Sequence, residues 1–152
     1  MLAVLGSGAL EAVKLAGPAN LTGSWSSTLP IRLRKLLPRV ASFFTGPNDS
    51  LMERLQAACP GAHFVKAFNS VGSGLMISPK LAGGAPTMFY CGNDPAAKAT
   101  VAGLLTKLGW EPADMGTAVA TRALEPLCIL WCIPGFLRDE WTHAFRLLRV
   151  NS

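Results

Sequence analysis

The sequence predicts an α/β domain built on a largely parallel sheet. Two short apolar runs, at residues 63–68 and 87–91, have the length and composition of buried strands. Helix-patterned segments alternate with them. Start signals mark those helices: Ser50-Leu51-Met52-Glu53 has the form of a capping box, and Asp94-Pro95 pairs an N-cap with proline at the first helical position. Short strands alternating with helices are the pattern of parallel sheets, whose ligands sit beyond the carboxyl ends of the strands.

Taken in order, residues 2–5 read as a short strand and 9–16 as a helix closed by Gly17-Pro18. Residues 19–49 have no clean periodicity, and 24–48 are expected to be irregular. A helix follows the capping box to about Ala58 and stops before Pro60-Gly61. The loop after residue 68 is glycine-rich. In the next helix Val101, Leu104, Leu105 and Leu108 recur at helical spacing and are expected to share the buried face. Gly109 closes that helix, and residues 110–114 read as an edge strand. Residues 121–131 are expected to be helical and kinked at Pro126. Leu137, Trp141, Phe145 and Leu148 outline the inner face of a last helix.

With 152 residues, half of them hydrophobic, the chain reads as one domain with a real core. The net charge of +5 is concentrated, since Arg32, Arg34, Lys35 and Arg39 fall in one run without acids or aromatics between them. That distribution speaks against nucleic-acid binding. The longest apolar run, residues 127–133, is far short of the ~18 residues of a membrane span. No span and no signal peptide are expected, and the cytoplasm is the expected location. Cys59, Cys91, Cys128 and Cys132 contain no Cys-x-x-Cys pair, so no metal site is expected and buried thiols are the reading.

Few motifs carry chemistry. Gly6-Ser7-Gly8 follows an apolar run, but Glu11 stands where a dinucleotide fingerprint needs its third glycine, which reads as a chance turn. Asn69 stands where a buried strand empties into the glycine loop. Its amide suits a carboxamide or carbonyl ligand, and a turn asparagine is the alternative. Lys66 reads as an edge or solvated lysine. Arg122 and Glu125, one turn apart, are expected to pair on a helix surface.

Several segments together resemble the deazaflavin (coenzyme F-420)-dependent NADP reductases, over about residues 50–149. They are Lys-Ala-Phe-Asn at 66–69 with Val71-Gly72 after it, Pro-Thr-Met-Phe at 86–89, Cys-Gly-Asn-Asp at 91–94, Gly-Trp-Glu-Pro at 109–112 and Arg-Ala-Leu-Glu-Pro-Leu at 122–127. The resemblance implies a Rossmann-type, doubly wound fold. It implies hydride transfer between NADP(H) and coenzyme F-420, a flavin or another acceptor, with relatives that act as ferric or cupric reductase domains. The chemistry would belong to the cofactors, so no catalytic acid or base is implied. The nicotinamide would lie by Ala67, Phe68, Asn69, Ser70, Val71 and Gly72.

The family's opening strand and Gly-x-Gly-x-x-Gly turn have no counterpart here, so a partial domain lacking its first strands is expected. Residues 9–13 match a helix that normally follows the fourth strand. Where the family next reads Val-Ile-Asp-Ala-Thr-Asn-Pro, this chain reads Trp25 to Arg32. Codons exist for those residues that spell the family strand when read from the last base of the tryptophan codon. Residues from about 24 to 40 are therefore expected to be frameshifted. A non-catalytic truncated product, or a homodimerising module using its exposed sheet edge, is the alternative reading.

Overall fold

The computed structural model describes residues 6–22, 25–28 and 46–150. The strand expected at 2–5 lies outside them, as does the frameshift reading apart from residues 25–28. The elements are α1 (Gly6–Ala16), β1 (Trp25–Thr28), α2 (Leu51–Ala58), β2 (His63–Lys66), β3 (Thr87–Gly92), α3 (Pro95–Lys107), β4 (Glu111–Asp114) and α4 (Thr121–Arg138). The described strands form one sheet in the order β1-β2-β3-β4. β1 runs parallel to β2, β3 parallel to β4, and β2 antiparallel to β3. The sheet is thus mostly parallel. Its one antiparallel pairing follows from the connection, because residues 67–86 contain a single 3-10 turn at Ser73–Leu75 and no crossover helix.

Alternation along the strands places helices on both faces, as in a doubly wound fold. Phe64 and Cys91 face a core layer shared with Ala9 and Val13 of α1, Leu51 and Leu55 of α2, and Leu124 of α4. Val65, Met88 and Tyr90 face the other layer with Val101 and Leu105 of α3 and Trp110. Burial on both faces explains the apolar run Phe64-Val65 of β2 and Met88 to Cys91 of β3, while Lys66 and Thr87 are buried polar exceptions. At Gly92 the strands approach so closely that a Cβ would lie 2.8 Å from the Phe64 carbonyl oxygen.

The local signals act as their chemistry dictates. Ser50 caps α2 by accepting from the Glu53 amide at 3.2 Å and donates its hydroxyl to the Glu53 carboxylate at 2.7 Å. Asp94 caps α3 through the Ala97 amide at 2.7 Å. Gly109 turns the chain at φ 87°, in the left-handed region that a Cβ disfavours.

Four expectations are corrected. Trp25–Thr28 is a strand within the segment expected to be irregular, paired from Trp25 opposite His63 to Thr28 opposite Lys66. The open edge of β2 offers backbone groups that a short extended segment satisfies, whatever its own periodicity. Leu104 does not belong to the buried face of α3. It is 36 % exposed against 0 % for Leu105, because the sheet meets only the stripe through Ala97, Val101 and Leu105. α4 runs past Trp131 to Arg138, with both Pro126 and Pro134 inside it.

Finally, the last helix is absent. Asp139 adopts φ 55° and ends α4. Residues 139–150 then form an irregular tail whose backbone serves β3: the Thr87 amide donates to the Phe145 carbonyl at 2.9 Å, and the Leu147 amide to the Thr87 hydroxyl at 3.0 Å. Leu137 and Leu148 face solvent, while Trp141 crosses α4 so tightly that a Cβ on Gly135 would lie 2.4 Å from its ring. Pairing with the sheet takes the backbone bonds that a helix would need.

With the turn before it, α4 is long and apolar enough to cross a membrane by length and composition, with a mean hydropathy of 1.3 in an 18-residue stretch of residues 118–138. That measure counts residues that the longest apolar run, residues 127–133, leaves out.

Candidate functional site

The chain leaves β2 at Lys66 and enters a tight, buried corner. Ala67, Phe68, Asn69, Ser70 and Val71 are all buried, and Gly72 is partly so. Phe68 adopts φ 56°, a conformation that non-glycine residues rarely hold without outside support. The Phe68 amide donates to the Met88 sulfur at 3.2 Å. Gly72 passes beneath the aromatic wall of α4, where a Cβ would lie 3.2 Å from the Trp131 ring. Trp131 is fixed in turn by the tail. Its indole N–H donates to the His143 carbonyl at 3.0 Å, and the His143 ring stacks on it at 5.1 Å between centroids.

Asn69 supplies the support. Its side-chain N–H₂ donates to the carbonyls of Leu124 and Glu125 beside Pro126, the latter at 3.1 Å. Its Oδ1 is buried and has no hydrogen-bond partner. The donor side of this amide is therefore committed to the fold, and only the acceptor side remains to meet a ligand.

Lys66 is 0 % exposed, and its Nζ has no hydrogen-bond partner. The reading of a solvated edge lysine is corrected: β1 covers that edge of β2, and the side chain projects into the α1–α2–α4 layer. Burial is the dominant influence and pushes its pKa from 10.5 down to about 8, with the Glu125 carboxylate the strongest opposing charge. Cys91 and Cys128 lie in the same electrostatic neighbourhood. Burial pushes the Cys91 thiol up to about 12, which keeps it protonated and inert. All four cysteines are buried and free.

Arg122 and Glu125 do not pair with each other. Arg122 grips Glu53 of α2 with contacts of 2.7–3.2 Å, and its guanidinium holds the Glu53 carboxyl below the usual range. Glu125 turns inward and accepts from the Leu51 and Met52 amides at 3.0 and 3.1 Å, the first free donors of α2. A carboxylate at a helix N-terminus is favoured by both the dipole and the bonds. One turn of α4 thus ties α2 to the corner after β2. Glu125 is the residue that sequence reasoning missed. Its Arg-x-Leu-Glu-Pro context was visible, but not its partners.

The other end of β2 is different. A cleft of about 390 Å³ is lined by Gln56, Pro60, Ala62, His63, Asn93 and Asp94. His63 Nδ1 lies 3.7 Å from an Asp94 carboxylate oxygen, with both side chains at least partly exposed. None of residues 67–72 lines it. Among the described residues no cluster of three or more His, Cys, Asp or Glu side chains is arranged to hold a metal ion.

The Gly6-Ser7-Gly8 turn lies in the first turn of α1, which packs on α2. A Cβ at Gly8 would meet nothing within 4 Å, so no close approach requires glycine there. Glu11 points outward, near Lys14.

Helices on both faces of a mostly parallel sheet define a partial Rossmann-type, doubly wound fold. No family model matches the chain. A solved structure from Arthrobacter sp. FB24, described as a candidate F-420-dependent NADP reductase, superposes with a TM-score of 0.88 at 31% identity, over 96% of this chain and 67% of that one. The chain belongs to the deazaflavin (coenzyme F-420)-dependent NADP reductase family. Metalloreductase STEAP3 of Rattus norvegicus is a more distant relative, 33% identical over 95 residues. That match takes in 59% of this chain and only 19% of the metalloreductase. A hypothetical protein of Sinorhizobium meliloti shares the fold, with a TM-score of 0.57 at 22% identity over 97% of this chain and 64% of that one.

Proposed function

We propose that this chain is the nicotinamide-handling part of a cytoplasmic reductase that moves hydride between NADP(H) and coenzyme F-420 or another acceptor, such as a flavin. The observation that carries the reading is the corner after β2. It stands beyond a strand's carboxyl end, holds a strained Phe68, and presents in Asn69 Oδ1 a buried acceptor without a partner. That atom fits the N–H donors of a nicotinamide carboxamide. Because it is buried, engaging a ligand there requires the corner to shift.

NADP(H) supplies the hydride chemistry when bound. The residues of the chain bind and orient. Asn69 offers an acceptor, the backbone of Ala67, Phe68, Ser70, Val71 and Gly72 shapes the floor, and Trp131 with Trp141 excludes water from one side. No side-chain acid or base is needed.

The grip on the phosphates is expected to be weak. The glycine turn of α1 is not built as a cradle, and Glu11 adds an anion near it. Losing two or three charge-assisted bonds of about 1.5–3 kcal/mol each weakens binding by about 3–9 kcal/mol. Calorimetric titration with NADPH is the test. A saturable Kd above about 10 μM is the expected result, with Asn69→Ala reducing hydride transfer more than affinity. No saturable binding at millimolar NADPH would overturn the reading.

A second reading is favoured by the row of exposed apolar residues Leu130, Ile133, Phe136 and Leu137 on α4. A non-catalytic homodimerising module would use such a face. It predicts a dimer in light scattering that is unaffected by NADPH.

A further inference from the structure

We infer that Glu125 is the positioning residue of this site, fixing the corner after β2 against α2 and α4. The inference rests on the nicotinamide reading above for its functional consequence, and on geometry for the rest.

Glu125 is bound at both its ends. Its carboxylate takes the Leu51 and Met52 amides, and its main-chain carbonyl takes the Asn69 amide. Moving this residue therefore moves the corner and the start of α2 together. The adjacent contacts share the task without duplicating it. Arg122–Glu53 and the 2.9 Å approach of the Ser50 and Thr121 hydroxyls join α2 to α4 but do not touch residues 67–72.

Lys66 lies buried directly before the same corner. A buried ammonium without a hydrogen bond is tolerated only where an opposite charge acts on it. The ionisable groups felt at this position are Glu125 and Cys128 from α4 and Cys91 from β3, and burial keeps the Cys91 thiol protonated. Of these Glu125 is the one carboxylate, and its charge opposes the effect of burial on Lys66. Lys66 immediately precedes Ala67, so whatever holds its side chain also fixes where the corner begins.

Glu125→Gln preserves shape, removes the charge and weakens the acceptor pair. Glu53→Gln is the control, loosening the α2–α4 joint without touching the corner. Three quantities separate the roles: the NMR titration of a labelled Lys66 side chain, amide exchange at residues 68–71, and the NADPH titration.

For Glu125→Gln the expected results are a Lys66 pKa moved further down, amide exchange at the corner about tenfold faster, and NADPH affinity about tenfold weaker. A tenfold change corresponds to ~1.4 kcal/mol. Glu53→Gln should lose stability and leave all three near wild type. If Glu125→Gln leaves the Lys66 titration and the corner's exchange unchanged, or Glu53→Gln changes them equally, the inference is overturned. Should the wild-type chain bind no NADPH, the nicotinamide reading falls, while the Lys66 titration and exchange still decide the role of Glu125.

Discussion

The two ends of β2 answer the same problem, a polar residue at a strand terminus, in opposite ways. At the start, His63 stands half-exposed beside Asp94 in an open cleft, and water can solvate both. At the exit, Lys66 and Asn69 lie wholly inside, each with one polar atom unsatisfied. The first arrangement costs the fold almost nothing and fixes little. The second costs stability and fixes the backbone of residues 67–72 from several directions. Strain and unsatisfied groups persist only where neighbours over-determine them, and here the exit of β2 carries both while its start carries neither. That contrast, more than the size of the cleft, is the ground on which we propose the exit as the site.

The comparison breaks most sharply at Lys66. Lys66→Met removes a buried ammonium whose pKa stands at about 8 instead of 10.5. Below pH 8 the unfolded chain holds this proton more tightly than the folded one, so the charge destabilises the fold by roughly 3 kcal/mol. Lys66→Met should therefore raise stability at pH 7 by up to about 3 kcal/mol while weakening the site. Urea unfolding checks the first effect. An equal or lower midpoint would mean that the ammonium is compensated by interactions beyond Glu125.

The same charge gives a pH signature of known sign. The penalty is complete below about pH 8 and disappears as the unfolded chain also loses its proton near 10.5. Wild-type stability should rise across that window relative to Lys66→Met, which lacks the transition. A difference between the two curves that stays flat from pH 7.5 to 10.5 would contradict a buried, titrating lysine.

At Asn69 a smaller loss is expected. Asn69→Ala deletes the bonds to the Leu124 and Glu125 carbonyls and one unsatisfied oxygen, for a net loss of about 1–2 kcal/mol. Thermal unfolding measures it, and a gain in stability would show that the unsatisfied oxygen outweighs the two bonds. The smallest effect belongs to the start of β2. His63→Ala should change stability by less than about 0.5 kcal/mol, as for a half-exposed surface side chain away from the core. A larger loss in the same assay would erase the contrast between the two ends.

The sequence by itself determined what short-range chemistry fixes. The Ser50 and Asp94 caps and the Gly109 turn are each satisfied within a few residues, and each stands where the pattern places it. The sequence carried β2 on to Phe68, two residues past its end at Lys66, yet the exit into a glycine-rich loop at Asn69 was legible without its surroundings. Only the tertiary structure decided the partners. Glu125 caps a helix 74 positions away rather than pairing one turn along its own helix, and Asn69 turns its donors to a carbonyl 55 positions on. Lys66 became a buried charge because β1 covers its edge, and the tail lost its helix because β3 needed its backbone. Such choices depend on which surfaces are brought together, and local periodicity carries no information about them.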